Sequence, residues 1–352
     1  MPDWTKSMQQ TFEYYVVDPV SWRDRSKIDG VKSCRIGRDS SVETLGSATI
    51  DVGESIGECY IRSYLVTIQN GIRERFPLAT FLVQTPSTRF NGKVQIISLD
   101  CYTPLLELKE NPPPLGYSIL KGENIMDNAY RIVRENVRAP VVPAVCTDNL
   151  YFDFVANTSD KWLSFTSDLI ANAKYKFDLD EMGQILFAPN QDTASLQPVW
   201  TYNDDNSSIL RADVSVDRDL YGIPNVVEVL YSNGANSYYA RVVNDDSNSP
   251  TSTINRGREI VHRVVDPQLT GNATQDRIEE YANQLLRELS TLEYTVTYTH
   301  GYCPVRLGDC VRLNYSRADL NNIKAKVIKQ DIQCIPGCPV TETAVFTNKL
   351  WG

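Results

Sequence analysis

The sequence predicts a mainly β chain with α+β insertions. It reads as two small β-barrel-like domains, a helix-containing α+β module between them, and a helical insertion in the second β domain. Three observations carry this reading. Strand-type runs punctuated by Asn-Gly pairs fill the first hundred residues. Three consecutive prolines, Pro112, Pro113 and Pro114, break that pattern, since none can sit in a helix interior or a central strand. Helical spacing of apolar residues occurs in a few short stretches only, and β character returns after residue 196.

Runs at 47–52, 58–69, 75–84 and 93–102 are rich in Val, Ile, Thr, Tyr and Phe, and Asn70-Gly71 and Asn91-Gly92 separate neighbours as hairpin turns. In 60–68 neither alternating face is purely polar, as expected of strands packed on both sides. This defines a first domain at 1–108, and the prolines read as a stiff linker. A module at 109–195 follows. Ile125, Met126, Ala129, Ile132 and Val133 repeat at helical spacing, as do Trp162, Phe165, Leu169, Ile170 and Ala173, with Ser159 and Asp160 as caps for the second helix. Strands at 175–180 and 184–188 flank a turn at Met182-Gly183. The second β domain, 196–352, opens with a hairpin of 226–231 and 238–243 around Asn233-Gly234. It carries an insertion at about 245–292. The insertion holds a polar stretch at 245–255, expected to be a flexible loop. An amphipathic helix at 274–292 follows, its stripe formed by Ile278, Tyr281, Ala282, Leu285, Leu286, Leu289 and Leu292. Strands at 294–299, 309–315, 323–333 and 341–346 complete it.

The 352 residues are 42% hydrophobic and 22% charged, enough to bury a core and inconsistent with extended disorder. A net charge of −9 argues against a general nucleic-acid binder. No apolar run approaches the roughly 20 residues of a membrane helix, and the polar start at 1–10 has no signal core, so folding in the producer's cytoplasm and no stable membrane insertion are expected. His262 and His300 are the only histidines, which argues against histidine-based acid–base catalysis. No phosphate-binding G-x-x-x-x-G-K-[ST] loop occurs. Asp178, Asp180 and Glu181 read as a solvated hairpin turn before they read as a cation site, and Asp204-Asp205 and Asp245-Asp246 lack EF-hand spacing. Arg23, Arg25 and Lys27 form a short basic surface cluster.

Eight cysteines are present, and Cys34, Cys59, Cys101 and Cys146 are scattered as small apolar residues would be. Cys303, Cys310, Cys334 and Cys338 form two pairs, C-x6-C and C-x3-C, each at a turn, within 303–338. Two adjacent turns can bring four thiolates together, the requirement of a [4Fe–4S] cluster or a structural zinc. The six-residue spacing disfavours zinc, while free thiols and a disulfide also remain open readings. His300 beside Cys303 reads as a satisfied strand-end histidine rather than a ligand.

The stretches 76–83 (FPLATFLV), 100–108 (DCYTPLLEL), 116–124 (GYSILKGEN), 192–200 (DTASLQPVW), 221–229 (YGIPNVVEV) and 304–312 (PVRLGDCVR) resemble phage tail and baseplate hub proteins. The resemblance implies two tail-tube-type barrels per chain and a homotrimer whose six barrels continue the six-fold rings of the tail tube. It implies a virion component at the distal tail, assembled in the host cytoplasm. Its partners would be the tail tube or distal tail protein on one side and a central spike, tip or fibre protein on the other. The tape-measure protein would end in its lumen, and genomic DNA would pass through. Some such proteins carry a further lytic domain, which is not expected after Gly352. Tail-tip proteins of the lambda type hold an iron–sulfur cluster on C-terminal cysteines, which implies the same for Cys303, Cys310, Cys334 and Cys338. Two other classes stay open: a cell-wall-degrading tail-tip enzyme and a host carbohydrate-binding module.

Overall fold

A computed structural model describes residues 2–351 except 93, 206–207, 219, 221, 233–235 and 268–273. The fold is mainly β. In chain order it contains β1 (Gln9–Val17), β2 (Asp24–Lys27), β3 (Val31–Asp39), β4 (Gly46–Val52), β5 (Tyr60–Gln69), β6 (Ile72–Asn91), β7 (Val94–Tyr102), α1 (Leu106–Glu110), β8 (Ser118–Ile119), α2 (Ile125–Asn136), β9 (Phe154–Val155), α3 (Trp162–Ala171), β10 (Tyr175–Leu179) and β11 (Ile185–Pro189). There follow β12 (Trp200–Asn203), β13 (Leu210–Arg218), β14 (Val226–Ser232), β15 (Ser237–Val243), α4 (Thr253–Arg256), β16 (Val261–Val265), α5 (Gln275–Leu289), β17 (Thr291–Gly301), β18 (Cys310–Tyr315), β19 (Leu320–Gln333) and β20 (Pro339–Lys349). The chain packs as two compact units: Met1–Val214 with Thr297–Ala344, and Ser215–Val296 with Val345–Gly352.

The first unit is organised by a sheet of order β13-β17-β20-β19-β3-β4-β7-β6-β5-β1-β2, with β18 on β19 and β12 parallel to β18. The β5–β6 hairpin turns at Asn70-Gly71, both in the left-handed conformation that this pair is chosen for. The expected barrels do not close among the described residues. Instead, β19 leaves β18 after Lys326 and joins β3 from Lys329 to Gln333, so the C-terminal strands add to the N-terminal ones as a single open sheet. A strand has two edges, and here the second edge of β19 is taken by a distant segment of the chain.

Helices cover part of this sheet. Asn124 caps α2 by accepting from the Asp127 N–H at 3.0 Å, and Ile125, Met126, Ala129, Ile132 and Val133 are buried as their spacing predicts. Helix α3 begins at Trp162, and its N-cap is Lys161, one residue past Asp160. Ser159 and Asp160 do not cap it; the hydroxyl of Ser164 bonds back to Lys161, while Asp160 accepts from Asn157 N–H. A single core joins Val17, Tyr60 and Leu82 of the strands and Trp22 of the β1–β2 connection to Leu105, Leu108 and the buried faces of α2 and α3. The three prolines thus interrupt secondary structure without separating cores.

In the second unit β14 pairs antiparallel with β15 and parallel with β16. Helix α5 lays Ile278, Ala282 and Leu286 on Val227, Val229 and Ala240. The helix ends at Leu289, and Leu292 belongs to β17. The turn expected at Asn233-Gly234 lies outside the described residues. The stretch 245–255 is not a flexible loop. Asn244 Nδ2 donates to Ser249 Oγ at 2.9 Å, Asn255 Nδ2 donates to Ser247 O and Ser249 O, and Ser249, Thr251 and Ser252 are buried ahead of the short helix α4. Its Ser and Asn side chains bond to one another and to backbone, so polarity here marks an ordered turn.

Candidate functional site

The side chains with chemical potential concentrate in the first unit, inside the sheet. Tyr298 and His300 alternate inward on β17, and Glu342 points inward on β20 between the buried Val340 and Ala344. Tyr202 comes from β12 and Gln330 from β19. Tyr202 OH lies 3.1 Å from His300 Nε2, 3.2 Å from Cys303 Sγ and 3.2 Å from Glu342 Oε2. Tyr298 OH donates to the same carboxylate oxygen at 2.8 Å, and Gln330 Nε2 donates to Glu342 Oε1 at 2.5 Å and to Val305 O at 3.0 Å. His300 Nδ1 faces Gly301 O at 2.6 Å and Nε2 faces Glu342 at 3.3 Å.

Burial opposes charge on His300, but the Glu342 carboxylate and the bonds to Cys303 and Glu342 outweigh it, and the imidazole pKa rises to about 10. Burial likewise opposes charge on Glu342. The His300 charge and the bonds from His300, Gln330 and Tyr298 prevail, and its pKa falls below the ordinary value. The pair is therefore an ion pair near neutrality. Cys303 Sγ is 3.9 Å from His300 Nδ1, so thiol, imidazole and carboxylate stand in line. Yet Cys303 is 2% exposed, and His300 and Glu342 are 0% exposed. The network ties four strands together instead. His300 is the satisfied histidine its position suggested.

A second polar centre docks the β10–β11 turn on the sheet. Arg62, 1% exposed, donates to Thr80 Oγ1, Asp24 Oδ1, Trp22 O and Met182 O, and Trp22 Nε1 also donates to Met182 O at 2.8 Å. Gly183 presses on Thr80 and Trp22 at a φ of +78°. Arg306 Nε donates to Glu181 at 3.0 Å, and burial raises the pKa of Asp180 and of Asp309. The Asp178-to-Gly183 turn is therefore packed, not solvated. Arg25 and Lys27 are exposed on the edge strand β2, and Lys27 pairs with Glu13 at 3.4 Å.

The four C-terminal cysteines fall into separate surroundings. Cys303 belongs to the His300 network. Cys310 lies on the wall of a cleft of about 640 Å³, shared with Lys176, Asp309 and Lys326. Cys334 faces Cys34, a residue read from the sequence as isolated, and Cys338 follows in the adjoining turn. Among the described residues, no group of three or more His, Cys, Asp or Glu side chains is placed to hold a metal ion. In this arrangement the four thiols are not gathered as an iron–sulfur cluster or a zinc would require.

Tyr202, Glu342, Gln330 and Arg62 were not singled out from the sequence. One signal was present: Glu342 occupies an inward position of an otherwise apolar alternation.

No family model and no curated protein matches the chain. Solved structures do. A tail protein from Neisseria meningitidis superposes with a TM-score of 0.62 at 13% identity, over 97% of this chain and 98% of that one. The 43 kDa tail protein of prophage MuSo2 from Shewanella oneidensis gives 0.60 at 10% identity, over 95% and 98%. A chain of the Francisella PdpA–VgrG complex gives 0.55 at 10% identity, over 97% of this chain and 58% of that one. The fold is that of phage tail proteins. The tail-protein fold accounts for nearly every residue of the chain. No helix among the described residues is long and apolar enough to cross a membrane.

Proposed function

We propose that the chain is a structural component of a phage or phage-derived tail, acting as a trimeric hub at its distal end. Each trimer adapts the six-fold tail tube to a three-fold tip, spike or fibre and leaves a lumen for DNA, with the tape-measure protein ending inside. The carrying observation is the end-to-end likeness to tail proteins, 97% of this chain against 98% of the first neighbour. A structural role also suits the site: its most reactive side chains are spent on holding strands together, with a thiol and an imidazole sealed from solvent.

Electron microscopy of the purified protein, or of particles containing it, tests this reading. A three-fold ring supports it. A monomer at high concentration that is missing from tail particles overturns it and returns attention to a cell-wall hydrolase, which a cell-wall digestion assay detects, or to a host carbohydrate-binding module.

A further inference from the structure

The strands of the sheet fall into two groups. β1 to β7 come from the N-terminal hundred residues and β12, β13 and β17 to β20 from the C-terminal part. Within the described pairings, the two groups join through one ladder, β19 on β3, of five residue pairs from Lys329↔Asp39 to Gln333↔Arg35. The next position along that ladder opposes Cys334 to Cys34. Cys334 N–H donates to Cys34 O at 3.0 Å, which extends the ladder by a step. The Cys34 thiol is near enough to raise the Cys334 pKa, and both thiols raise that of the Tyr14 hydroxyl. Facing positions of an antiparallel ladder have Cα atoms about 4.5–5.5 Å apart, within the range a disulfide spans.

We propose that Cys34 and Cys334 are an oxidisable dithiol that closes a disulfide across the seam of the sheet when the protein meets a peroxide. Cys334 is the thiol that reacts first. It is 8% exposed against 4% for Cys34, and it borders the turn 335–337, whose residues are exposed. Its thiolate attacks a peroxide oxygen. An S–O bond forms, the O–O bond breaks, one water leaves, and Cys334 becomes a sulfenic acid. The Cys34 thiolate then attacks that sulfur, forming S–S, breaking S–O and releasing a second water. Two thiols lose two electrons and two protons, and one hydrogen peroxide becomes two waters. The Cys34 thiol, and after it burial, hold the Cys334 pKa well above its ordinary value, so the reaction is slow at neutral pH and faster in alkali. Cys338 stands by with a backbone φ of +35° and 0% exposure, and its pKa is pushed up to about 12 by burial. It has no register partner on β3, and so it is the bystander.

The full-length reduced protein is treated with hydrogen peroxide while folded, alkylated, and digested without reductant for mass spectrometry. The expected result is a fall from eight free thiols to six, with a linked peptide pairing residues 34 and 334 that dithiothreitol reverses. Cys338→Ser keeps the link, and Cys334→Ser and Cys34→Ser each abolish it, so a folding failure in one leaves the other as the control. The oxidised wild type resists denaturant better than the reduced. A link through Cys338, or eight thiols remaining under conditions that oxidise the methionines, overturns the proposal.

Discussion

His300 Nε2 lies 3.3 Å from Glu342 Oε2, and both side chains are buried. A buried ion pair is a poor source of net stability, yet it is costly to break, because the surviving charge is left without a partner. Here Tyr298 and Tyr202 also donate to Oε2 and Gln330 donates to Oε1, so both carboxylate oxygens have partners. Glu342→Gln should therefore lower the unfolding free energy by about 3–5 kcal/mol at pH 6, as read by urea denaturation.

The same pair makes stability depend on pH. The His300 pKa is about 10 folded and 6.5 unfolded, so its contribution is fully present below pH 6.5 and is lost as pH rises toward 10. Glu342 has its folded pKa below 4.5, so its contribution is present above pH 4.5 and is lost as pH falls below it. Wild-type unfolding free energy should peak between pH 4.5 and 6.5 as far as this pair controls it. A His300→Gln variant should lose less stability than the wild type between pH 6.5 and 9; equal slopes would contradict the ion pair.

Gly183 sits at a φ of +78°, and a Cβ there would lie 2.7 Å from Thr80 Cβ. Gly183→Ala should cost about 1–3 kcal/mol through overpacking, beyond the strain of a left-handed alanine. Gly116 also has a positive φ, +76°, but nothing lies within 4 Å of its added Cβ. Gly116→Ala should therefore show the backbone cost alone. Thermal unfolding of the two variants side by side separates crowding from strain.

Leu286 is fully buried between α5 and the β14–β15 pair. Leu286→Ala should cost about 2–5 kcal/mol of local stability. Hydrogen exchange should show faster amide exchange in α5, β14 and β15, with the strands around His300 unchanged if the second unit opens on its own.

Elemental analysis of aerobically and anaerobically purified protein should find iron and zinc below one atom per chain. Stoichiometric metal that is lost in Cys334→Ser would show that the thiols converge in solution.

What the sequence determined by itself is local. The stripes of α2 and α5, the Asn-Gly turn of the β5–β6 hairpin and the strand character of both ends are legible, because period and turn chemistry act between residues a few positions apart. The inward Glu342 was legible in the same way, as a break in a period-2 pattern, although its partners were not. Tertiary structure decided the rest. Cys334 meets Cys34 rather than Cys303 and Cys310 because β19 pairs with β3, a choice made 300 residues apart in the chain. The same pairing joins the strands into one sheet where two barrel-like domains were expected. Spacing between cysteines counts residues along the chain, but the ladder register sets which thiols touch, and register is fixed by the packing of whole faces.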